Sequence, residues 1–247
     1  MAPLGTWTET EVVGKPVDIY EPQQPSPEPR VVLFLHGHGQ ERLRENVPFT
    51  QEFERHGLRV VCPQGKRSWW LDLVCEEFDP KVTPLNYLRE SVVPFIEDRW
   101  QTAPSSIGLL GVSMGGQGVL QLAYRDARRF PVVAAISPAI DFHRCWGQGL
   151  PLDQMFPSAE EARQETVILK IHPLNWPKHQ LIVCDPRDSY WFEGAERLTL
   201  KLHSSGIPFE SDFATSAGGH SWGYFNSTAT PVIQFLADRL EKESRRL

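Results

Sequence analysis

Cysteine is scarce in this chain. Its 247 residues include only Cys62, Cys75, Cys145 and Cys184, with no C-x-x-C spacing among them. That spacing offers no disulfide framework and no zinc site, and it suits reduced thiols in a cytoplasmic protein. Long apolar runs are missing as well, and none approaches the roughly 20 residues that cross a bilayer. The opening, Met1-Ala2-Pro3-Leu4-Gly5-Thr6-Trp7, has no basic start and no apolar stretch, so no signal peptide is expected. Nor is there an excess of basic charge. The formal net charge is −6 and the Lys and Arg residues are scattered, which argues against a nucleic-acid partner. Internal repeats are absent, and the one biased tract, Glu21-Pro22-Gln23-Gln24-Pro25-Ser26-Pro27-Glu28-Pro29, reads as a surface loop.

What the chain does have is alternation. Apolar or β-branched runs at Val17–Tyr20, Val31–His36, Leu58–Cys62, Ile107–Gly111, Val132–Ser137, Gln180–Cys184 and Phe209–Ala214 read as strands. Most are continuously apolar, as parallel strands covered on both faces must be. Helical spacing is read over Glu41–His56, Pro84–Trp100, Met114–Arg125, Ser158–Thr166, Trp191–Ser205 and Pro231–Glu243, with Pro94 expected to kink or shorten the second. Strands alternating with helices predict an α/β fold: a mostly parallel central sheet with helices on both faces. The length suits one domain, residues 1–247. The stretch 141–178 is long for a connection and offers itself as a cap-like insertion.

The chemistry centres on Ile107-Gly108-Leu109-Leu110-Gly111-Val112-Ser113-Met114-Gly115-Gly116. An apolar strand runs into Gly-x-Ser-x-Gly and a helix follows, which is the context of a nucleophile elbow. The turn crowds the residues two before and two after the serine, and Gly111 and Gly115 occupy them. A serine hydroxyl needs a base, and the base needs an orienting acid. Among eight His, His220 in Ala217-Gly218-Gly219-His220-Ser221-Trp222 lies between a strand and the last helix, where a base is expected. His143, His172, His179 and His203 lack that setting. For the acid, Cys184-Asp185-Pro186-Arg187-Asp188 gives two carboxylates past a strand. Asp188, out in the loop, has the longer reach, whereas Asp185 before proline suits the turn itself. The choice is Asp188, with Asp185 left open.

An oxyanion hole needs two amides. Met114, after the nucleophile, supplies one, and His38 in His36-Gly37-His38-Gly39 is the candidate for the second. A metal pair from His36 and His38 is the rival reading, but no third ligand follows at a familiar spacing. The chemistry requires no cofactor and no metal. Of the loop tryptophans, Trp69, Trp70, Trp146 and Trp222 are candidates for the substrate pocket, with simple packing the competing role.

With these residues in view, the chain resembles the esterase D-like branch of the α/β-hydrolase superfamily. That branch holds S-formylglutathione hydrolases, feruloyl and acetyl esterases and mycolyltransferases. The resemblance rests on His36-Gly37-His38-Gly39, on Pro63-Gln64-Gly65-Lys66-Arg67-Ser68-Trp69-Trp70, and on Gly111-Val112-Ser113-Met114-Gly115-Gly116 with Ser137-Pro138 downstream. Gly219-His220-Ser221-Trp222 completes it. It implies a serine esterase acting on a small-molecule ester, with a triad of Ser113, Asp188 and His220 and oxyanion amides at His38 and Met114. An acyltransferase with the same triad, or a binding protein on a hydrolase scaffold, are the alternative functions.

Overall fold

The computed structural model describes residues 4–246. Met1 to Pro3, part of the stretch read for a signal peptide, and Leu247 lie outside the described residues. Eight strands form one sheet in the order β1-β2-β4-β3-β5-β6-β7-β8. They are β1 (Thr6–Val12), β2 (Lys15–Glu21), β3 (Val31–Leu35), β4 (Arg59–Pro63), β5 (Ile107–Val112), β6 (Val132–Ile136), β7 (His179–Val183) and β8 (Glu210–Asp212). The β1–β2 and β2–β4 pairs are antiparallel, and every pair from β4 to β8 is parallel. With helices α1 (Val47–Arg55), α2 (Pro84–Tyr87), α3 (Val93–Trp100), α4 (Met114–Arg125), α5 (Leu152–Met155), α6 (Ala159–Gln164), α7 (Phe192–Ser204), α8 (Trp222–Ser227) and α9 (Ala229–Ser244), this is the α/β-hydrolase fold.

The continuous apolar runs follow from burial on both sides. Along β3, Val31, Leu33 and Leu35 enter one core with Leu85, Leu88 and Ile96, with Val119 of α4 and with Leu198 of α7. Val32 and Phe34 enter the other, with Phe49 and Phe53 of α1 and Val232, Ile233 and Leu236 of α9. Period-two alternation thus sorts one strand between two helical layers.

Several elements differ from their sequence expectation, among them short helices α5 and α8, which were not expected. β1 was not anticipated, because Thr6-Trp7-Thr8-Glu9-Thr10-Glu11-Val12 is exposed along most of its length and carries no apolar run. It is defined by its hairpin to β2, whose turn residues Val13 and Gly14 are both left-handed (φ 51° and 70°). The helix expected from Glu41 starts at Val47. Asn46 caps it by accepting from the Phe49 amide at 3.1 Å, and Pro48 sits in the first turn. Between α2 and α3 the chain makes a wide π turn over Leu88–Val92, and Pro94 falls in the first turn of α3. The proline ring and its missing amide are absorbed there without ending the helix.

The stretch 141–178 contains two short 3₁₀ turns, Phe142–Cys145 and Val167–Lys170, around α5 and α6. Its Phe142, Leu152, Phe156, Ala162 and Val167 are buried in the same core cluster as α4. No helix among the described residues is long and apolar enough to cross a membrane.

Candidate active site

Ser113 stands between β5 and α4 with φ 54° and ψ −118°, a conformation an L-residue holds only under constraint. The constraint is visible. The Ser113 amide donates to the Ile136 carbonyl at 2.9 Å, and the Ser113 carbonyl accepts from the Gln117 and Ala139 amides at 3.1 and 3.0 Å. A β-carbon on Gly111 would fall on the Gly115 carbonyl, and one on Gly115 would fall on the carbonyl of Leu35 in β3. Only glycine lets the elbow pack this closely against its neighbouring strand.

His220 reaches Ser113 from a loop 107 residues downstream. Its Nε2 lies 2.9 Å from Ser113 Oγ, and its Nδ1 lies 2.7 Å from Asp188 Oδ2. A carboxylate can only accept, so Nδ1 carries the proton and Nε2 is free to accept from the hydroxyl. Asp188 is buried. Its Oδ1 accepts from the Tyr190 and Trp191 amides at 3.0 and 3.1 Å, which fixes the carboxylate plane. Burial works to raise its pKa, but the hydrogen bond and charge of His220 and the two amides outweigh it and hold the group below the usual carboxylate range. The thiol of Cys184 lies 3.7 Å from Asp188 Oδ2, and burial pushes that thiol up, so it stays protonated.

Asp185 is bonded instead to the loop that carries His220. Its Oδ1 accepts from the Arg187 amide (2.8 Å) and the Ser216 hydroxyl (2.7 Å), and its Oδ2 from the Ala217 and Gly219 amides (2.7 and 2.8 Å). Burial opposes ionisation, yet these donors together bring its pKa down to about 2. The sequence hinted only at the turn, because three of the four donors come from more than thirty residues downstream.

The loop after β3 lies against the nucleophile. A β-carbon on Gly37 would sit 3.3 Å from Ser113 Cβ, and the Gln40 amide closes the turn onto the Gly37 carbonyl at 3.0 Å. The amide of His38 belongs to this turn. That of Met114 opens α4, where an N–H has no partner within the helix. His36 is buried with both ring nitrogens engaged. Nε2 accepts from the Gly65 amide at 2.9 Å, so the proton is on Nδ1, which faces the Gly37 carbonyl at 2.7 Å. Burial lowers its pKa to about 4. A ring so occupied ties the loop of residues 36–39 to that of residues 63–65 and leaves no lone pair for a metal.

A pocket of about 240 Å³ opens above Ser113, lined by Gly37, His38, Glu41, His220, Trp222 and Phe225. Trp222, half-buried, is one of the residues lining this pocket. Trp70, expected beside it, is fully buried, because the glycines at 65 and 118 leave the gap its ring fills, and its Nε1 donates to the His36 carbonyl at 3.2 Å. Trp69 is also buried, its ring between His38 and Phe142 with centroids 5.6 Å from each. Trp146 packs within the 141–178 segment and donates to the Phe156 carbonyl at 2.9 Å. Trp69 and Trp70 sit on left-handed backbone (φ 57° and 53°), and Trp146, half-buried, packs against the same core. Missed by sequence reasoning were Glu41, and the rings of Tyr190, Trp191 and Phe225 that surround His220 at 5.9, 6.4 and 5.3 Å. Phe225 lies in a six-residue helix too short to establish a period, so no spacing marked it. Glu41 carried no signal either.

The family model described as "Putative esterase" matches residues 15–235. Comparison with the curated proteins finds no match. Among solved structures, an S-formylglutathione hydrolase from Agrobacterium tumefaciens superposes with a TM-score of 0.75 at 19% identity, covering 95% of this chain and 94% of that one. A ferulic acid esterase gives 0.76 at 13%, covering 96% and 100%. A fluorophosphonate-binding serine hydrolase of Staphylococcus aureus gives 0.73 at 14%, covering 95% and 99%. At these identities the likeness is one of fold.

Proposed function

Since the chain belongs to the Esterase family, in the esterase D-like branch of the α/β-hydrolases, it is a serine carboxylic-ester hydrolase, and we infer that Ser113, His220 and Asp188 are its catalytic triad. The observation that carries this reading is the unbroken line of hydrogen bonds from Asp188 Oδ2 through the imidazole to Ser113 Oγ.

The chemistry follows from the geometry. His220 Nε2 takes the hydroxyl proton as Ser113 Oγ attacks the ester carbonyl. Negative charge develops on the carbonyl oxygen, and the amides of Met114 and His38, on the two turns that flank Ser113, are the donors assigned to meet it. Asp188 stabilises the imidazolium and keeps the ring in the productive tautomer. The imidazolium then protonates the leaving alcohol, and water, activated by the same nitrogen, releases the acid from the acyl-enzyme. The buried Phe142 is set against Trp69 in the core cluster shared with α4, which supports reading the 141–178 segment as part of one domain. All four thiols are free, which suits a reducing, cytoplasmic setting. The partner is a small ester rather than a nucleic acid.

Hydrolysis of p-nitrophenyl acetate by the wild type and by Ser113→Ala tests the assignment. The substitution lowers kcat by about four to six orders of magnitude, as loss of a triad member does in serine hydrolases. A fluorophosphonate probe labels the wild type at Ser113 and leaves the variant unlabelled. Turnover that persists in Ser113→Ala would assign the nucleophile elsewhere.

A further inference from the structure

The pocket above Ser113 has two unlike walls. One is aromatic: Trp222, half-buried, with its ring against Phe225 (centroids 5.4 Å apart) and edge-on to Phe49 (6.5 Å). The other carries the carboxylate of Glu41, folded back over Gly39. Glu41 is exposed and has no ion-pair partner among the described residues, and no Lys or Arg lines the pocket.

The cations nearby are committed elsewhere. Arg42 binds Asp18 and Glu9, and Arg44 lies 3.8 and 3.9 Å from the same two carboxylates. Arg67 grips Glu77 through Nε and a terminal nitrogen at 2.9 and 2.6 Å, and Lys66 also acts on Glu77. The Glu41 charge therefore goes unneutralised and reaches the rings of both His36 and His38. A carboxylate left free beside an aromatic face, with the local arginines already paired, is complementary to one kind of ligand group. An ammonium there gains the Coulomb attraction of Glu41 and the quadrupole of the indole. A second carboxylate there meets uncompensated repulsion.

Resting on the esterase reading above, we propose that the pocket recognises esters carrying an ammonium group, with Glu41 as the counter-ion and Trp222 as the aromatic wall. Neither residue takes part in bond making. Both act on how often the correct ester is held with its carbonyl over Ser113, so the selection appears in kcat/KM.

Three acetate esters of matched size test this: one of a trimethylammonium-bearing alcohol, one of its uncharged tert-butyl isostere, and one of a carboxylate-bearing alcohol. Acid release is followed by pH-stat. At low salt the cationic ester is favoured over the neutral one by about fivefold in kcat/KM, and the anionic ester falls below both. Raising NaCl to about 0.5 M shrinks the ratio, as screening demands. In Glu41→Gln the cation-to-neutral ratio drops to within about twofold of unity, a readout independent of how much variant folds. Trp222→Leu lowers the same ratio without removing its salt dependence. Hydrolysis of all three at equal efficiency, or a ratio unchanged in Glu41→Gln, overturns this proposal and leaves the esterase reading standing. Failure to hydrolyse any of the three, with no fluorophosphonate labelling of Ser113, overturns both.

Discussion

Two aspartates three residues apart divide the work at the site. Asp188 faces the imidazole, and Asp185 gathers the backbone that delivers it. Asp185→Asn replaces one acceptor oxygen with a donor and sets it against backbone N–H groups. Each buried amide left without an acceptor costs about 1–3 kcal/mol. If His220 is the base, as proposed, the expected outcome is a kcat lowered by about tenfold or more with KM nearly unchanged, because His220 is displaced while the pocket stays, and a lower midpoint in urea. A variant with wild-type kcat would show that the loop is held by other contacts. At this scale the sequence was informative wherever a residue's role is local. Ser113 announces itself through its flanking glycines and His220 through its place in the chain. Asp188 could be preferred to Asp185 only by reach, and what Asp185 does instead depends on donors that the fold, not the spacing, brings to it. Glu41 was illegible for the same reason: nothing nearby in sequence marks a carboxylate that ends up beside a serine 72 positions later.

Among the elements, the elbow is the least tolerant. β5, its turn and α4 are packed so that the β3 backbone lies against Gly115, with no room for a methyl group. Gly115→Ala must separate β3 from α4 or push the turn outward. Overpacking of this severity costs about 3 kcal/mol or more. The check is the urea midpoint, with Gly14→Ala in the exposed β1–β2 turn as a comparison, since nothing lies within 4 Å of a β-carbon there. That comparison variant loses about 1 kcal/mol, from its left-handed backbone alone. A Gly115→Ala midpoint no lower than that of Gly14→Ala would show that the helix has freedom to move. The buried strands were legible because two-sided burial writes itself as an apolar run. β1 was not, because an exposed edge strand has no such obligation. Helix starts were misread where a cap intervened, as Asn46 does before α1, and α8 was missed because Trp222–Ser227 is too short to establish a period.

For the whole molecule, pH stability is expected to depend in part on His36, whose two ring nitrogens both face backbone partners. Burial holds the pKa of His36 at about 4, against an ordinary value of 6.5. Above about 6.5 both the folded and unfolded states keep the ring neutral, and its contribution is intact. Between about 6.5 and 4 the unfolded chain takes up a proton that the folded chain refuses, so stability declines over that window. Asp185, with its pKa at about 2, adds a further decline below the ordinary carboxylate value near 4. Chemical denaturation across pH 4–7 should therefore show falling stability toward acid. His36→Asn, which has no proton to take up there, flattens the slope between about 6.5 and 4 while lowering stability near neutrality by about 1–3 kcal/mol. An unchanged slope would place the acid sensitivity in other groups. The two ends of the sheet have a separate consequence for how copies of the chain meet. On one side β1 presents Glu9 and Glu11, both exposed, and on the other β8 is three residues long and presents Glu210. A second copy approaching either free edge finds carboxylates or too little strand to pair with. Joining of sheets from molecule to molecule, the first step of aggregation in α/β proteins, is discouraged at both margins.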